Sequence, residues 1–353
     1  MKLLHISDLH IGSSLTTHLE QKKVTERRNE IRDAFGRAVE FGISEGIEAV
    51  LIAGDMFDGK KIGPRTLAGV ASVIRAHGDI PFFYVSGNHE GDVFCETGKL
   101  LENFYTFGEG FSYYDLDGVR IHGANATAKG MFSTLELNAQ GKNIVMLHGE
   151  WGDHSAEGGI IGLGELEGVA VDYLALGHYH SFMTKEIYRG GIAVYSGVPE
   201  GRGYDEAGEK GVVIFDTADF VPHFYPLAKR TIHIVEVNAK GATSASEILT
   251  RAEKSVATIP SDDMVEMVLI GACDPMISLD ESLFLLHFSR SFYHFRFKNK
   301  TTVDISAQSL KYDSSIVGEF IRQVYSDTTL SEDEKRDIIE CGLLAIKKEE
   351  WGK

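Results

Sequence analysis

Five short apolar runs in this chain each end in a cluster of Asp, His or Asn, and no other feature restricts the fold as tightly. The clusters are Asp8-Leu9-His10, Gly54-Asp55-Met56-Phe57-Asp58, Gly87-Asn88-His89-Glu90, Leu147-His148-Gly149 and Gly177-His178-Tyr179-His180. The runs before them, residues 2–7, 49–53, 81–86, 143–147 and 172–176, read as buried strands. Between the first three lie stretches with helical spacing, 24–44 (Ile31, Ala34, Phe35, Ala38, Val39) and 66–76. This β-α-β-α-β alternation predicts a layered α/β core with helices outside a sheet. In such sheets the ligand crevice lies at the carboxyl ends of the strands, so the five clusters are expected to converge.

Further along, 111–116 and 119–122 flank Asp117-Gly118, a pair suited to a type I′ hairpin turn. Residues 192–195 and 212–215 are two more strand candidates. A sheet with this many strands is expected to split into two packed sheets. Near Lys229-Arg230 the character changes. An alternating strand at 231–237, a helix at 244–256 and a strand at 264–270 predict a smaller α+β domain. Two amphipathic C-terminal helices follow. One carries Ile316, Val317, Phe320, Ile321 and Val324 on one face, and the other begins with the capping box Ser331–Glu334. The expected organisation is thus 1–230, 231–310 and 311–353.

Carboxylates, imidazoles and one amide suit Mn, Fe or Zn better than Ca or Mg. Asp8, His10, Asp55, Asn88, His148, His178 and His180 are too many donors for one tetrahedral ion. They fit two ions sharing a carboxylate, which at about 3.5–4 Å apart can clamp a phosphate for in-line displacement.

On these motifs the chain resembles the calcineurin-like metallophosphoesterases, whose DxH, GDxxD, GNH[DE], H and GHxH blocks occur here in family order over roughly residues 1–200. The resemblance implies a four-layer α/β/β/α core, two packed mixed sheets flanked by helices. It also implies that Asp8, His10 and His180 hold one ion and Asn88, His148 and His178 the other, with Asp55 bridging. His89 would be the general acid that protonates the leaving oxygen, and Asp58 would orient its ring. Mn is the first expectation for both ions, with Fe, Zn or Mg as other occupants.

Within the family, Leu3-Leu-His-Ile-Ser-Asp-Leu-His-Ile-Gly12, Ala-Gly-Asp-Met-Phe-Asp58 and Ala-Leu-Gly-His-Tyr-His180 resemble the SbcD-type (Mre-like) DNA repair nucleases. Tyr195-Ser-Gly-Val-Pro-Glu-Gly-Arg202 and Gly208-Glu-Lys-Gly211 resemble the YhaO-type branch, in which a small capping domain and C-terminal helices follow the phosphoesterase domain. Relatives often have Pro where Ser196 stands, and some Mre-type nucleases have His in place of Asp58. The resemblance implies a nuclease hydrolysing DNA as exonuclease or endonuclease, docking by its C-terminal helices onto an SbcC-like coiled-coil ATPase, and a homodimer. Two other readings stay open. One is a phosphoesterase acting on a nucleotide, cyclic nucleotide or other small phosphoester. The other is a non-catalytic scaffold, from which ligands or the acid would be missing, and none is.

Charge bears on the choice. With 35 Lys+Arg against 52 Asp+Glu the net charge is −17, which argues against binding nucleic acid by bulk charge. DNA contact is therefore expected only in the cleft and with a partner's help, through the ions and local cations. Lys60, Lys61 and Arg65 follow the bridging-Asp motif and are candidates for substrate phosphate contacts. A solvated loop explains those three equally. Arg296 and Lys298, on the strand face opposite Phe295 and Phe297, are further candidates, although a core face backed by a solvated face is the favoured reading of that alternation. His5 reads as a core histidine, and Gly54, Gly87 and Gly177 as tight strand-to-loop turns. Cys95, Cys273 and Cys341, odd in number and without metal spacing, read as reduced thiols. No run approaches a transmembrane length and the N-terminus lacks a signal-peptide pattern, so a cytoplasmic location is expected.

Overall fold

The apolar runs form strands in the computed structural model, which describes the chain except for residues 16–18, 91–93, 95–97, 99–100, 275–276, 278, 305–313, 332–333, 336, 340, 343–344 and 346–353. In chain order the first part reads β1 (Lys2–Ile6), α1 (Gln21–Ser44), β2 (Ala49–Ala53), α2 (Pro64–Ala76), β3 (Phe82–Val85), β4 (Phe104–Thr106), β5 (Ser112–Leu116) and β6 (Val119–Gly123). There follow β7 (Lys142–His148), β8 (Glu150–Gly152), β9 (Ile160–Gly162), β10 (Tyr173–Gly177), β11 (Met183–Glu186), β12 (Ile192–Tyr195), β13 (Gly211–Asp216) and β14 (His223–Pro226).

One mixed sheet has the order β14-β13-β1-β2-β3-β4 and the other β11-β12-β10-β7-β6-β5. Strand side chains alternate between faces, so each strand serves two cores. Leu3, Leu51, Phe83 and Val85 point between the sheets to meet Ile121, Ile144, Met146, Tyr173 and Ala175. Leu4, Ile6, Val50, Ile52, Phe82 and Tyr84 face outward, under Ala34, Phe35, Ala38 and Val39 of α1 and Val70, Ala71 and Ile74 of α2. Burial on both faces explains why β2 reads Ala-Val-Leu-Ile-Ala without a polar residue. The α2 helix starts with Pro64 behind Gly63, where a missing N–H costs nothing. Asp117 and Gly118, with φ of 48° and 81°, make the hairpin turn between β5 and β6.

The four layers are present, with one difference in the outermost. Over the second sheet lie one-turn helices at Met131–Thr134 and Leu163–Leu166 and the small β8–β9 pair, closing on Val145, Leu147, Leu174 and Leu176. Gly152, Gly158, Gly159, Gly162, Gly164 and Gly168 punctuate these connections, a density that disfavours an α-helix.

The chain divides into compact units at Met1–Thr231 and Ile232–Lys353. The second holds β15 (Ile232–Asn238), α3 (Ala245–Val256), β16 (Met264–Ile270), β17 (Ala272–Cys273), α4 (Glu281–Phe288), β18 (His294–Asn299), β19 (Thr302–Val303) and α5 (Ile316–Ser326). Its parallel sheet runs β15-β16-β18 and buries Val237, Met267, Leu269, Phe295 and Phe297 against Ile248, Ala252 and Phe284. On α5, Ile321 and Val324 are buried with Ile339, whereas Ile316 is exposed. Ser331 and Glu334 exchange the reciprocal bonds of a capping box. Cys273 is buried and Cys341 exposed, and Cys95 lies outside the described residues. Among the described residues no helix is long and apolar enough to cross a membrane.

Candidate metal centre

Each polar cluster begins where a central strand stops. Asp8 and His10 follow β1, Asp55 follows β2, Asn88 and His89 follow β3, His148 ends β7, and His178 and His180 follow β10. Three of these strands belong to the first sheet and two to the second. The chain must turn sharply to aim side chains from a strand end, and the backbone records it. Asp8, His10 and Asp55 sit at φ of 53°, 45° and 49°, and His178 at 114°. Such conformations cost about 1–3 kcal/mol each and persist only where their surroundings dictate them. The surroundings here are bonds between the two neighbouring turns, Asp8 N–H to Gly54 O (3.0 Å), His10 N–H to Asp55 O (2.9 Å) and Ile11 N–H to Met56 O (2.9 Å).

Two glycines are required, for different reasons. Gly54 has φ +84° and a Cβ there would lie 2.3 Å from His148 Nδ1. Gly87 needs no unusual φ. A Cβ there would lie 2.0 Å from Asp55 Oδ1, so it provides room rather than a turn.

The donors converge. Donor atoms of Asp8, His10 and His180 lie within 4.8 Å of one another, as do those of Asp8, Asp55 and His148. His10 Nε2 and His180 Nε2 are 3.3 Å apart. His148 Nε2 is 3.1 Å from Asn88 Oδ1 and 3.3 Å from Asp55 Oδ2, and Asp55 Oδ2 is 3.8 Å from His10 Nε2. Asp55 therefore stands between the two groups of imidazoles. His178 is placed differently from the other ligand candidates. Its backbone N–H donates to both Asp8 oxygens at 3.0 Å, and its ring lies 5.6 Å from that of His148. It lines, with Asn88 and His148, a groove of about 580 Å³. His89 Nδ1 is 3.1 Å from Asp58 Oδ1, its backbone N–H donates to Asp55 Oδ1, and its ring is 47% exposed to the cleft.

Electrostatics show what this cluster lacks. Asp8 and Asp55 are 1% and 2% exposed, and among the described residues no Lys or Arg pairs with either. Burial raises Asp8 above the usual carboxylate range. Burial pushes Asp55 the same way, but the His148 hydrogen bond and charge outweigh it and hold Asp55 at about 2. His148, although buried, is held at about 9 by Asp55 and Asp8. A histidine forced to keep a proton between two buried carboxylates marks a place that requires positive charge, and a divalent ion fits it better than a proton does.

Supporting groups orient the rings. His148 Nδ1 donates to Ala53 O at 2.9 Å, leaving Nε2 toward Asn88 and Asp55. Glu90, fully buried, accepts from the N–H groups of Met56, Phe57 and Gly87, so it splices the second and third clusters together, and burial pushes it up to about 7. Glu206 was not singled out by the sequence. Its Oε1 lies 2.8 Å from His180 Nδ1, and Arg202 holds the same carboxylate through Nε (2.8 Å) and its backbone N–H (2.6 Å). A carboxylate on the far nitrogen of a ligand histidine fixes its tautomer and raises its basicity. The only sequence hint was the Arg202–Glu206 spacing beside a glycine-rich turn.

The cation candidates divide. Lys60 and Lys61 are exposed on the connection between Asp58 and α2, and Arg65 in the first turn of α2, with no ion pair among the described residues. Arg296 and Lys298 instead converge on Glu266, which is 4% exposed on the neighbouring strand, with Lys298 Nζ at 3.0 Å. Glu266 offsets one of the two positive charges, so the strip is less cationic than its sequence implies.

The two-sheet fold and the convergent Asp–His–Asn donors at its strand ends define a metal-dependent phosphoesterase. Residues 1–182 match the family model described as calcineurin-like phosphoesterase, and the chain belongs to that family. The DNA double-strand break repair protein Mre11 of Halobacterium salinarum is 32% identical over 109 residues, 30% of this chain and 26% of the relative. The protein of the same name from Haloferax volcanii is 25% identical over 290 residues, 76% of this chain and 60% of the relative. The chain thus spans less than two thirds of either. A dimetal phosphatase of Danio rerio superimposes with a TM-score of 0.42 at 12% identity, over 60% of this chain and 91% of that one.

Proposed function

We propose that this protein is a two-metal phosphodiesterase acting on DNA, a repair nuclease of the SbcD/Mre type. The observation that carries the two-metal part is the place of Asp55 Oδ2, 3.3 Å from His148 Nε2 and 3.8 Å from His10 Nε2. In this reading Asp8, His10 and His180 would hold one ion and Asn88, His148 and His178 the other, with Asp55 available to both. Mn is the first candidate because the donor set is borderline in softness. When bound, the ions supply Lewis acidity and lower the pKa of water into the neutral range. The chain's own residues do the rest. His89, half exposed over the cleft, delivers a proton to the leaving oxygen, and Asp58 at 3.1 Å holds its ring and stabilises the imidazolium.

DNA as substrate is supported by the relatives, which are DNA double-strand break repair proteins, and by matches that run well past the catalytic core, to 290 residues. In this reading 231–310 would serve as a capping domain and 311–353 as a docking segment for an SbcC-like ATPase in a cytoplasmic, dimeric assembly. Two observations favour the alternative of a small phosphoester. The groove beside His178 carries Glu109 and Glu157, and the chain is at −17, both unfavourable to a long polyanion.

The test is manganese-dependent cleavage of linear and single-stranded DNA by the full chain. His89→Gln is expected to lower the rate by about 10²–10⁴-fold with metal binding retained. Turnover of a small diester with DNA untouched would favour the alternative.

A further inference from the structure

We propose that a notch between α1 and the turn after His10 binds a phosphate group, and, resting on the nuclease reading, that this is a phosphate of the strand flanking the one being cut. The notch encloses about 170 Å³, and its polar lining is Gly12, Ser13, Arg28, Asn29, Arg32 and Thr66. At a water's share of about 30 Å³, that is room for roughly five small polar atoms, the size of a tetrahedral anion.

Three observations select an anion of this shape. Ser13 is 4% exposed, yet its Oγ has no hydrogen-bond partner among the described residues. Burying an unsatisfied hydroxyl is unfavourable, and a phosphate oxygen would satisfy it. Arg28 is exposed with no carboxylate partner among the described residues, and Arg32 uses only its Nε, on Asp33 at 2.8 Å. Two guanidinium groups one helical turn apart present forks that match phosphate oxygens. The third is placement. Ile11 follows His10 directly and its carbonyl accepts from Asp58 N–H at 3.2 Å, so the notch adjoins the Asp58–His89 pair.

The local charges agree. The groove beside His178 is lined by Glu109 and Glu157, whereas the notch is lined by Arg28 and Arg32. A polyanion with one phosphate at the ions would leave by the cationic notch. This gives Arg65, adjacent to Thr66 of the lining, a place along the same path.

The experiment measures binding of a labelled single-stranded oligonucleotide to the full chain in EDTA, where no strand is cut, over a range of salt. Arg28→Ala with Ser13→Ala is expected to weaken binding about tenfold and to reduce the slope of log K against log salt by about 0.7, one single-strand phosphate contact. Arg75→Ala, which removes the same charge at the other end of α2, is expected to leave the slope near that of the parent chain. Equal slopes for all three proteins, or an equal loss in Arg75→Ala, would overturn the proposal. If the parent chain binds no oligonucleotide in EDTA, inorganic phosphate becomes the probe, and the DNA reading is decided separately by the manganese-dependent cleavage assay. Thermal stabilisation by phosphate that disappears in the double variant would then establish the notch as a site for free phosphate. Equal stabilisation of parent and variant would overturn it.

Discussion

His5 illustrates how a single side chain in the first strand ties stability to pH. It is fully buried between the sheets, with Nδ1 3.0 Å from Tyr173 Oη, and burial lowers its pKa from 6.5 to about 3. Between those two values the unfolded chain binds a proton that the folded chain excludes. The stabilisation is complete above pH 6.5 and is lost as pH falls toward 3, at up to about 1.4 kcal/mol per unit. His5→Phe, measured in EDTA by urea unfolding, is expected to lose about 2 kcal/mol less than the parent chain between pH 7 and pH 5. An identical loss in both would show that the ring titrates normally. The phenol left without its partner in the variant lowers stability at both pH values, so only the difference is diagnostic. Backbone strain is concentrated in the same unit. Of its seven described non-glycine residues with positive φ, four (Asp8, His10, Asp55 and His178) belong to the donor cluster.

At the scale of elements, the connection from β12 to β13 acts as a brace for the metal cluster. It brings Glu206 to His180 Nδ1 and Lys210 Nζ to the His180 carbonyl at 2.9 Å, while Arg202 locks the Glu206 carboxylate. Glu206→Gln keeps the shape but removes the charge, and is expected to weaken Mn binding by about 10–100-fold, read by titration calorimetry. Binding as tight as in the parent chain would leave the brace with a packing role alone. A second tie lies behind it. Arg27, buried on α1, pairs with Glu200 at 2.9 Å, and Arg37 holds the other oxygen of Glu200 at 2.6 Å. The strands, the two long helices and the convergence of the five clusters were legible because each is written locally, as an apolar run closed by ligand-type residues. Glu206 was not, since its meaning depends on a partner 26 residues away in another connection. The same limit applies to β18. Its alternation of Phe295 and Phe297 with Arg296 and Lys298 could be read from the sequence, but the Glu266 that pairs with both cations stands on a strand 30 residues earlier. The outer layer over the second sheet was foreseen as helical, and its glycine-rich connections close it with single turns instead.

For the whole molecule, the question is how a chain of −17 handles a phosphodiester. Its acidic groups are unevenly used. Two buried carboxylates are committed to the cluster, Glu90 and Glu206 to holding it, and Glu200 and Glu266 to pairing cations elsewhere. Exposed cations without such partners among the described residues include Lys60, Lys61 and Arg65, which follow the Asp58 motif, and Arg28 in the notch beside it. Attraction for an anion is then expected to be local to these groups and to the ions, against a net charge that repels it. Association with DNA is accordingly expected to be salt-sensitive and improved by a partner. All of this depends on two ions sharing Asp55. The most direct measurement is the number of Mn ions bound per full chain, by calorimetry with elemental analysis, in the parent chain and in Asp55→Asn. Two ions per chain, with both sites weakened by the single substitution, is the expected result. One ion per chain, or two in Asp55→Asn at unchanged affinity, would contradict the shared-carboxylate centre and with it the proposed chemistry.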